Sequence, residues 1–166
     1  MKTLDLTIIV PVFDEEESVA ELADKVSSVC DASGYSFETL LVDDGSSDAS
    51  WSAIESIHDR DPRFVGIRLR RNYGKSAALA VGFRRALGTY VVTMDADLQD
   101  DPSEIPTLVS RLEEGNDLVS GWKKRRRDPI SKIVPSRFFN FVSKLNGTKG
   151  LLREDMMSSS TRLHIN

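Results

Sequence analysis

The chain has 166 residues, 40% of them apolar and 29% charged, with a formal net charge of −4. That length supports one domain with a sizeable core, and the composition is too apolar for a disordered chain. A single cysteine, Cys30, argues against a disulfide framework or a multi-thiolate zinc centre, and two histidines, His58 and His164, against a histidine-rich metal site.

Residues 6–12, LTIIVPV, form a short apolar run rich in β-branched residues, which predicts a strand. Val19, Leu22, Ala23, Val26 and Val29 follow at helical spacing up to Gly34, and Cys30 is expected to be a small buried hydrophobe on that helix. Phe37–Val42 reads as a second strand, and Ser47 or Asp48 can cap a helix carrying Trp51, Ile54 and Ile57. Phe64–Leu69 is a third strand, followed by a helix around Ser76–Leu87 that stops at Gly88. Tyr90–Met94 is a fourth strand, Pro102–Glu114 a helix with Pro near its first turn, and Asp117–Ser120 a short fifth strand. Such alternation predicts right-handed crossovers and a mainly parallel, Rossmann-like sheet flanked by helices.

Charge is unevenly placed. Residues 1–121 hold 11 Lys/Arg against 23 Asp/Glu, whereas residues 122–144 hold 8 against 1. An acidic body suggests a cation site, and a basic segment an anionic partner. Nucleic acid is a poor fit, because the acidic body would repel its phosphates. No apolar stretch reaches the roughly 18 residues of a membrane span, and no signal peptide is evident, so a reduced, cytoplasmic-type domain is expected.

Ligands of parallel α/β sheets bind beyond the carboxyl ends of the strands. Three such ends are acidic here: Asp14-Glu15-Glu16-Glu17, Asp43-Asp44, and Asp95-Ala96-Asp97 with Asp100-Asp101. Helix capping explains Glu15–Glu17 and Asp48 but fits Asp95 and Asp97 poorly, because they are read as still on the strand end, before the Pro102 helix. If strand geometry persists there, residues i and i+2 share a face, and both carboxylates reach one site. Hard Mg²⁺ or Mn²⁺ suits such oxygen ligands together with phosphate oxygens. Gly74-Lys75-Ser76 looks like the end of a phosphate-binding P-loop, but position 69 is Leu where that motif needs Gly. A receiver domain would need an acceptor Asp after the third strand, where Arg68–Asn72 stand.

Taken together, Ile9-Val10-Pro11-Val12-Phe13-Asp14-Glu15, Val42-Asp43-Asp44-Gly45-Ser46-Ser47-Asp48, Arg71-Asn72-Tyr73-Gly74-Lys75 and Met94-Asp95-Ala96-Asp97-Leu98-Gln99-Asp100-Asp101-Pro102 resemble an inverting family-two glycosyltransferase of GT-A fold. Within it, Leu-Gln-Asp-Asp-Pro resembles the polyprenyl-phosphate sugar transferases of the dolichol-phosphate mannose synthase type. The resemblance covers about residues 5–145. It implies a nucleotide pocket of Pro11, Phe13, Asp14, Glu15, Asp43, Asp44, Lys75 and Asp95, with Asp43 on the nucleobase. It also implies a Mg²⁺ or Mn²⁺ site of Asp95, Asp97 and Gln99, with Asp97 and Arg137 as catalytic residues. Lys123 and the Ser136-Arg137 pair would hold the acceptor phosphate, and Phe138, Phe139, Phe141 and Val142 would follow on an amphipathic helix. For Arg70, Arg71 and Asn72 a solvated or structural role is favoured.

The implied reaction moves a sugar from a nucleotide-diphospho-sugar to an acceptor, most simply a polyprenyl phosphate at the cytoplasmic face of an anionic membrane. A nucleotide-sugar-binding piece without turnover, or a transferase with a soluble saccharide acceptor, are the alternatives. Residues 1–121 would be the GT-A core, 122–146 a basic, aromatic, helical segment facing the acceptor or membrane, and 147–166 a disordered or foreign tail. After about Gly147 the family pattern is lost, so truncation or alteration is expected there.

Overall fold

A computed structural model describes residues 4–120 and 141–144. Strands β1 (Leu6–Val12), β2 (Phe37–Asp43), β3 (Phe64–Arg68) and β4 (Tyr90–Thr93) alternate with helices α1 (Val19–Ser33), α2 (Ser50–Arg60) and α3 (Lys75–Arg85). A 3-10 turn at Pro102–Glu104 then leads into α4 (Ile105–Glu113), β5 (Leu118–Ser120) and β6 (Phe141–Lys144). The described sheet has the order β3-β2-β1-β4-β6-β5. β1, β2, β3 and β4 run parallel, and β6 lies antiparallel between β4 and β5. The mainly parallel α/β sheet expected from the sequence is therefore present.

β1 is apolar on both faces because both faces are covered. Leu6, Ile8, Val10 and Val12 join Val19, Leu22, Val26 and Cys30 of α1, Ile54 and Ile57 of α2, and Ile105, Leu108 and Leu112 of α4. Ile9 points the other way, into a smaller cluster with Leu40, Val42, Val91 and Ala78 of α3. A side chain at Gly82 would run into that of Ile9, so the glycine lets α3 lie close on this face. Within the sheet, at the end away from the acidic loops, the paired Thr7 of β1 and Glu38 of β2 are buried. Thr7 donates its hydroxyl to Glu38 (2.7 Å), and the Leu87 amide donates to the same carboxylate (2.8 Å).

Two local expectations are corrected. Phe141 and Val142 were expected on an amphipathic helix, but they lie in β6, paired with Val92 of β4 and with Val119 and Ser120 of β5. Without β6 the outer edge of β4 would leave a row of N–H and C=O groups without sheet partners, and satisfying that ladder outweighs local helical spacing. The rest of the 122–146 segment, and the tail from 147, lie outside the described residues. The second correction is at the fourth strand, which ends at Thr93, so Asp95 lies beyond it in irregular backbone and Asp97 in the turn that follows. Strand alternation is not what brings them together.

Candidate active site

The chain runs outward from β1 through β2 to β3, then returns to the other side of β1 as β4. Strand order reverses between β1 and β4, which opens a crevice at their carboxyl ends. A cleft of about 290 Å³ lies there. Pro11, Phe13 and Glu15 of the first loop, Asp44 of the second, Asn72, Gly74 and Lys75 of the third, and Asp95 and Asp97 of the fourth line it. Four segments far apart in sequence thus meet at one opening.

Backbone-directed carboxylates hold these loops together. Asp44, 3% exposed, accepts the amides of Tyr73 and Gly74, each at 2.8 Å. Gly45, at φ +75°, packs directly on the backbone of Arg71 and Asn72, where a Cβ would come within 2.5 Å. On the other side, the Asp14 amide donates to Ser46 Oγ (3.0 Å) and the Glu15 amide to Ser50 Oγ (2.8 Å). Asp14 Oδ1 in turn accepts the Ser47 amide at 2.8 Å. Glu16 accepts the Ala49 amide (2.7 Å), and Asp48 accepts those of Ser50 (2.9 Å) and Glu16 (3.2 Å). The N-cap of α2 is Ala49 rather than Ser47 or Asp48; Asp48, one position earlier, accepts the first helical amide, and Glu16 reaches across to the amide of the cap residue.

Asp43 is fully buried at the end of β2. Its Oδ1 accepts the Ser46 amide at 2.9 Å, while Oδ2 lies 3.2 Å from Arg68 Nε without an aligned hydrogen bond. The Arg68 guanidinium also stands 5.4 Å from the Trp51 ring centroid. Arg68 was not singled out from the sequence; its signal was its position at the end of β3, in register with Asp43.

At the fourth loop, Lys75, the first residue of α3, forms an ion pair with Asp95 Oδ1 across the cleft. The Asp95 amide donates to the buried carboxylate of Asp100 (2.9 Å), which anchors the turn. Asp97 is exposed and accepts the Gln99 amide through Oδ1 at 3.0 Å. Leu98 takes a positive φ of 60°, which tightens that turn. Just beyond, the Ser103 amide caps onto Asp101 (2.9 Å) and holds its carboxyl below the usual carboxylate range.

Of the residues proposed for nucleotide and metal, Pro11, Phe13, Glu15, Asp44, Lys75, Asp95 and Asp97 therefore meet at the cleft. Asp14, Asp43 and Gln99 do not line it, and Lys123 and Arg137 lie outside the described residues. Asn72, for which a structural role was favoured, both lines the cleft and accepts the Gly74 amide at 3.0 Å.

The donor set can be tested against a divalent cation. No three His, Cys, Asp or Glu side chains converge among the described residues. Asp95 and Asp97 offer hard carboxylate oxygens on one wall, so the protein supplies two at most. Mg²⁺ or Mn²⁺ is commonly held in this way, with water and substrate phosphates completing the shell. The residues present fit such an ion bound together with a diphosphate.

A largely parallel sheet with an antiparallel strand inserted beyond the switch, and an acidic turn facing a cleft between β1 and β4, defines a GT-A glycosyltransferase fold. Glucosyl-3-phosphoglycerate synthase from Mycobacterium tuberculosis, solved with uridine-diphosphate, shares the fold at a TM-score of 0.66 and 20% identity, over 85% of this chain and 57% of that one. A mannosyltransferase from Pyrobaculum calidifontis, solved with GDP-Man and Mn²⁺, gives a TM-score of 0.58 at 26% identity, over 68% of this chain and 33% of that one. In sequence, residues 7–161 match the glycosyl transferase family 2 model, and the chain belongs to that family. The match runs past Gly147, further than the motifs reach. The undecaprenyl-phosphate 4-deoxy-4-formamido-L-arabinose transferase of Salmonella paratyphi B is 37% identical over 138 residues, 82% of this chain. The chain spans 42% of the length of that relative.

Proposed function

We propose that this chain binds a nucleotide-diphospho-sugar and transfers its sugar, with inversion, to a polyprenyl phosphate. The observation that carries the reading is the meeting of Lys75, Asp95 and Asp97 with the Pro11–Glu15 loop at the β1/β4 crevice. The acceptor class rests on the name of the 37% identical relative, an undecaprenyl-phosphate transferase. In this reading Pro11, Phe13 and Glu15 wall the nucleotide. Asp43 does not line the cleft and would act on the nucleobase side only through the loop it braces at Ser46, while Asp14 and Asp44 hold the walls in place. Asp95 and Asp97, with Gln99 beside them, would hold Mg²⁺ or Mn²⁺, which when bound supplies positive charge for the leaving diphosphate.

An acceptor phosphate oxygen bonds to the anomeric carbon as the bond from that carbon to the diphosphate breaks. The second pKa of a phosphate monoester lies near ~6, so the acceptor is already largely dianionic at neutral pH and needs no strong base. The task of the protein is to hold two anions together, with Lys75 on the donor side and Lys123 and Arg137 on the acceptor side. In this reading the acceptor lies in a membrane, and the reaction is assigned to its cytoplasmic face, with the basic segment 122–144 suited to an anionic surface. No helix among the described residues is long and apolar enough to cross a membrane.

A second reading, donor binding without turnover, rests on the cleft lining among the described residues, all of which is assigned to the donor and its metal. Thermal denaturation with UDP, GDP and their sugars, with and without Mn²⁺, run beside a radiolabelled transfer assay, tests both. Metal-dependent stabilisation with transfer supports the first reading; stabilisation alone supports the second. Asp97 is exposed, so Asp97→Asn should leave the melting temperature nearly unchanged and abolish the Mn²⁺-dependent part of the nucleotide shift. Equal nucleotide binding with and without metal in the unsubstituted chain would remove the metal from the proposal.

A further inference from the structure

We infer that Lys75 is an internal counter-ion that holds Asp95 while the cleft is empty and passes to the donor diphosphate when metal and nucleotide enter. The inference rests on the function proposed above and adds a residue-level exchange to it. Both side chains line the cleft, and their ion pair spans it from the start of α3 to the turn after β4. They are about one-third exposed, at 35% and 31%, so the pair is open to competition from an incoming ligand.

The two partners are held differently. Asp95 is fixed through its amide, which donates to the buried Asp100 carboxylate at 2.9 Å. The base of Lys75 is fixed too, because Gly74 just before it is clamped by Asp44 and Asn72 at 2.8 and 3.0 Å. The ammonium itself sits on a four-carbon stem with rotatable donors. Backbone anchors thus stay in place while the charged tip can swing. Two neighbouring carboxylates without a cation repel each other, and Lys75 relieves that repulsion at Asp95. A divalent cation on Asp95 and Asp97 would displace the ammonium by like-charge repulsion. A diphosphate in the same cleft, near the positive end of α3, would then receive it.

This exchange makes Lys75 act with opposite sign on two ligands. It competes with the metal for Asp95 and assists the diphosphate. The two ligands are therefore coupled through one side chain, each favouring the other's binding.

The 166-residue chain and its Lys75→Met variant should be titrated with Mn²⁺ alone, following the loss of the free-ion electron paramagnetic resonance signal. UDP and GDP are then titrated at fixed Mn²⁺ by calorimetry. Lys75→Met should bind Mn²⁺ alone roughly three- to fivefold more tightly, the scale of a partly exposed ion pair. It should bind the nucleoside diphosphate roughly tenfold or more weakly, the scale of a charge-assisted contact. Lys75→Arg, which keeps the cation, should stay near the unsubstituted chain on metal, and Lys75→Gln provides a second neutral variant should Met disturb the fold. Weaker or unchanged Mn²⁺ binding in both neutral variants would overturn the inference and leave Lys75 a structural brace for Asp95. If the unsubstituted chain binds neither Mn²⁺ nor either nucleotide, the proposed function falls first, which separates the two failures.

Discussion

Asp44 and Asp43 are neighbours with opposite tasks. Asp44 directs both oxygens to the amides of Tyr73 and Gly74, which makes it a positioning residue for the loop that delivers Asn72 and Lys75. In Asp44→Asn one acceptor is lost and an N–H₂ faces an amide N–H. A buried donor without a partner costs about 1–3 kcal/mol. The urea midpoint of this variant should fall accordingly, and its nucleotide affinity should fall further than loss of a distant surface charge could explain. Cys30 tests burial instead. Desolvation, with a smaller contribution from the nearby Asp31 charge, pushes its thiol up to about 11. Only the thiolate alkylates, so iodoacetamide near ~pH 8 should leave the native chain unmodified and label it fully in urea, as read by mass spectrometry.

Elements on the outer edge of the sheet are tied together by Arg63, which precedes β3. Its guanidinium pairs with Asp31 near the end of α1 (2.5 Å) and Asp61 after α2 (2.7 Å), and lies 4.3 Å from the centroid of the Phe37 ring on β2. Hydrogen bonds from Arg63 hold both carboxyls below their ordinary value of 3.8. A carboxyl lowered in the folded state stabilises the fold above its unfolded value, and that contribution disappears as pH falls through the lowered one. The urea midpoint should therefore drop as pH is taken down through and below the ordinary carboxylate range, and the drop should be shallower in Arg63→Ala, which lacks the hydrogen bonds that lower the two carboxyls. An unchanged slope would mean that the three groups do not couple in solution.

At the scale of the whole molecule, charge is divided between an acidic body, residues 1–121, and a basic segment, residues 122–144. Four carboxylates of the acidic body, Glu15, Asp44, Asp95 and Asp97, line the cleft, and of these Asp44 is turned to the backbone amides of a neighbouring loop while Asp95 is paired with Lys75. The basic segment is the part suited to an anionic surface, where each Lys or Arg is worth about 1 kcal/mol. Co-sedimentation with anionic vesicles should be strong at low salt and fade as the Debye length shrinks from ~10 Å to ~3 Å. Replacing the five basic residues 123–127 with Gln should release the chain. Equal partitioning to neutral vesicles would point to a soluble acceptor instead.

From the sequence alone, the alternation of apolar runs and helical spacing determined the order of elements from β1 to β5, because each period records which faces are covered. It also determined the family, because four acidic or glycine-bearing motifs fall at strand ends in the right order. Only the tertiary structure decided which carboxylates face the cleft. Asp14, Asp43 and Asp44 look alike in the chain, yet Asp14 binds Ser47, Asp43 is buried against Arg68, and Asp44 clamps Gly74. The Lys75–Asp95 pair joins residues 20 apart, and β6 pairs Val142 with Val92. Such contacts depend on where loops converge once the sheet has formed, and local periodicity carries no record of the partner on the far side of a cleft.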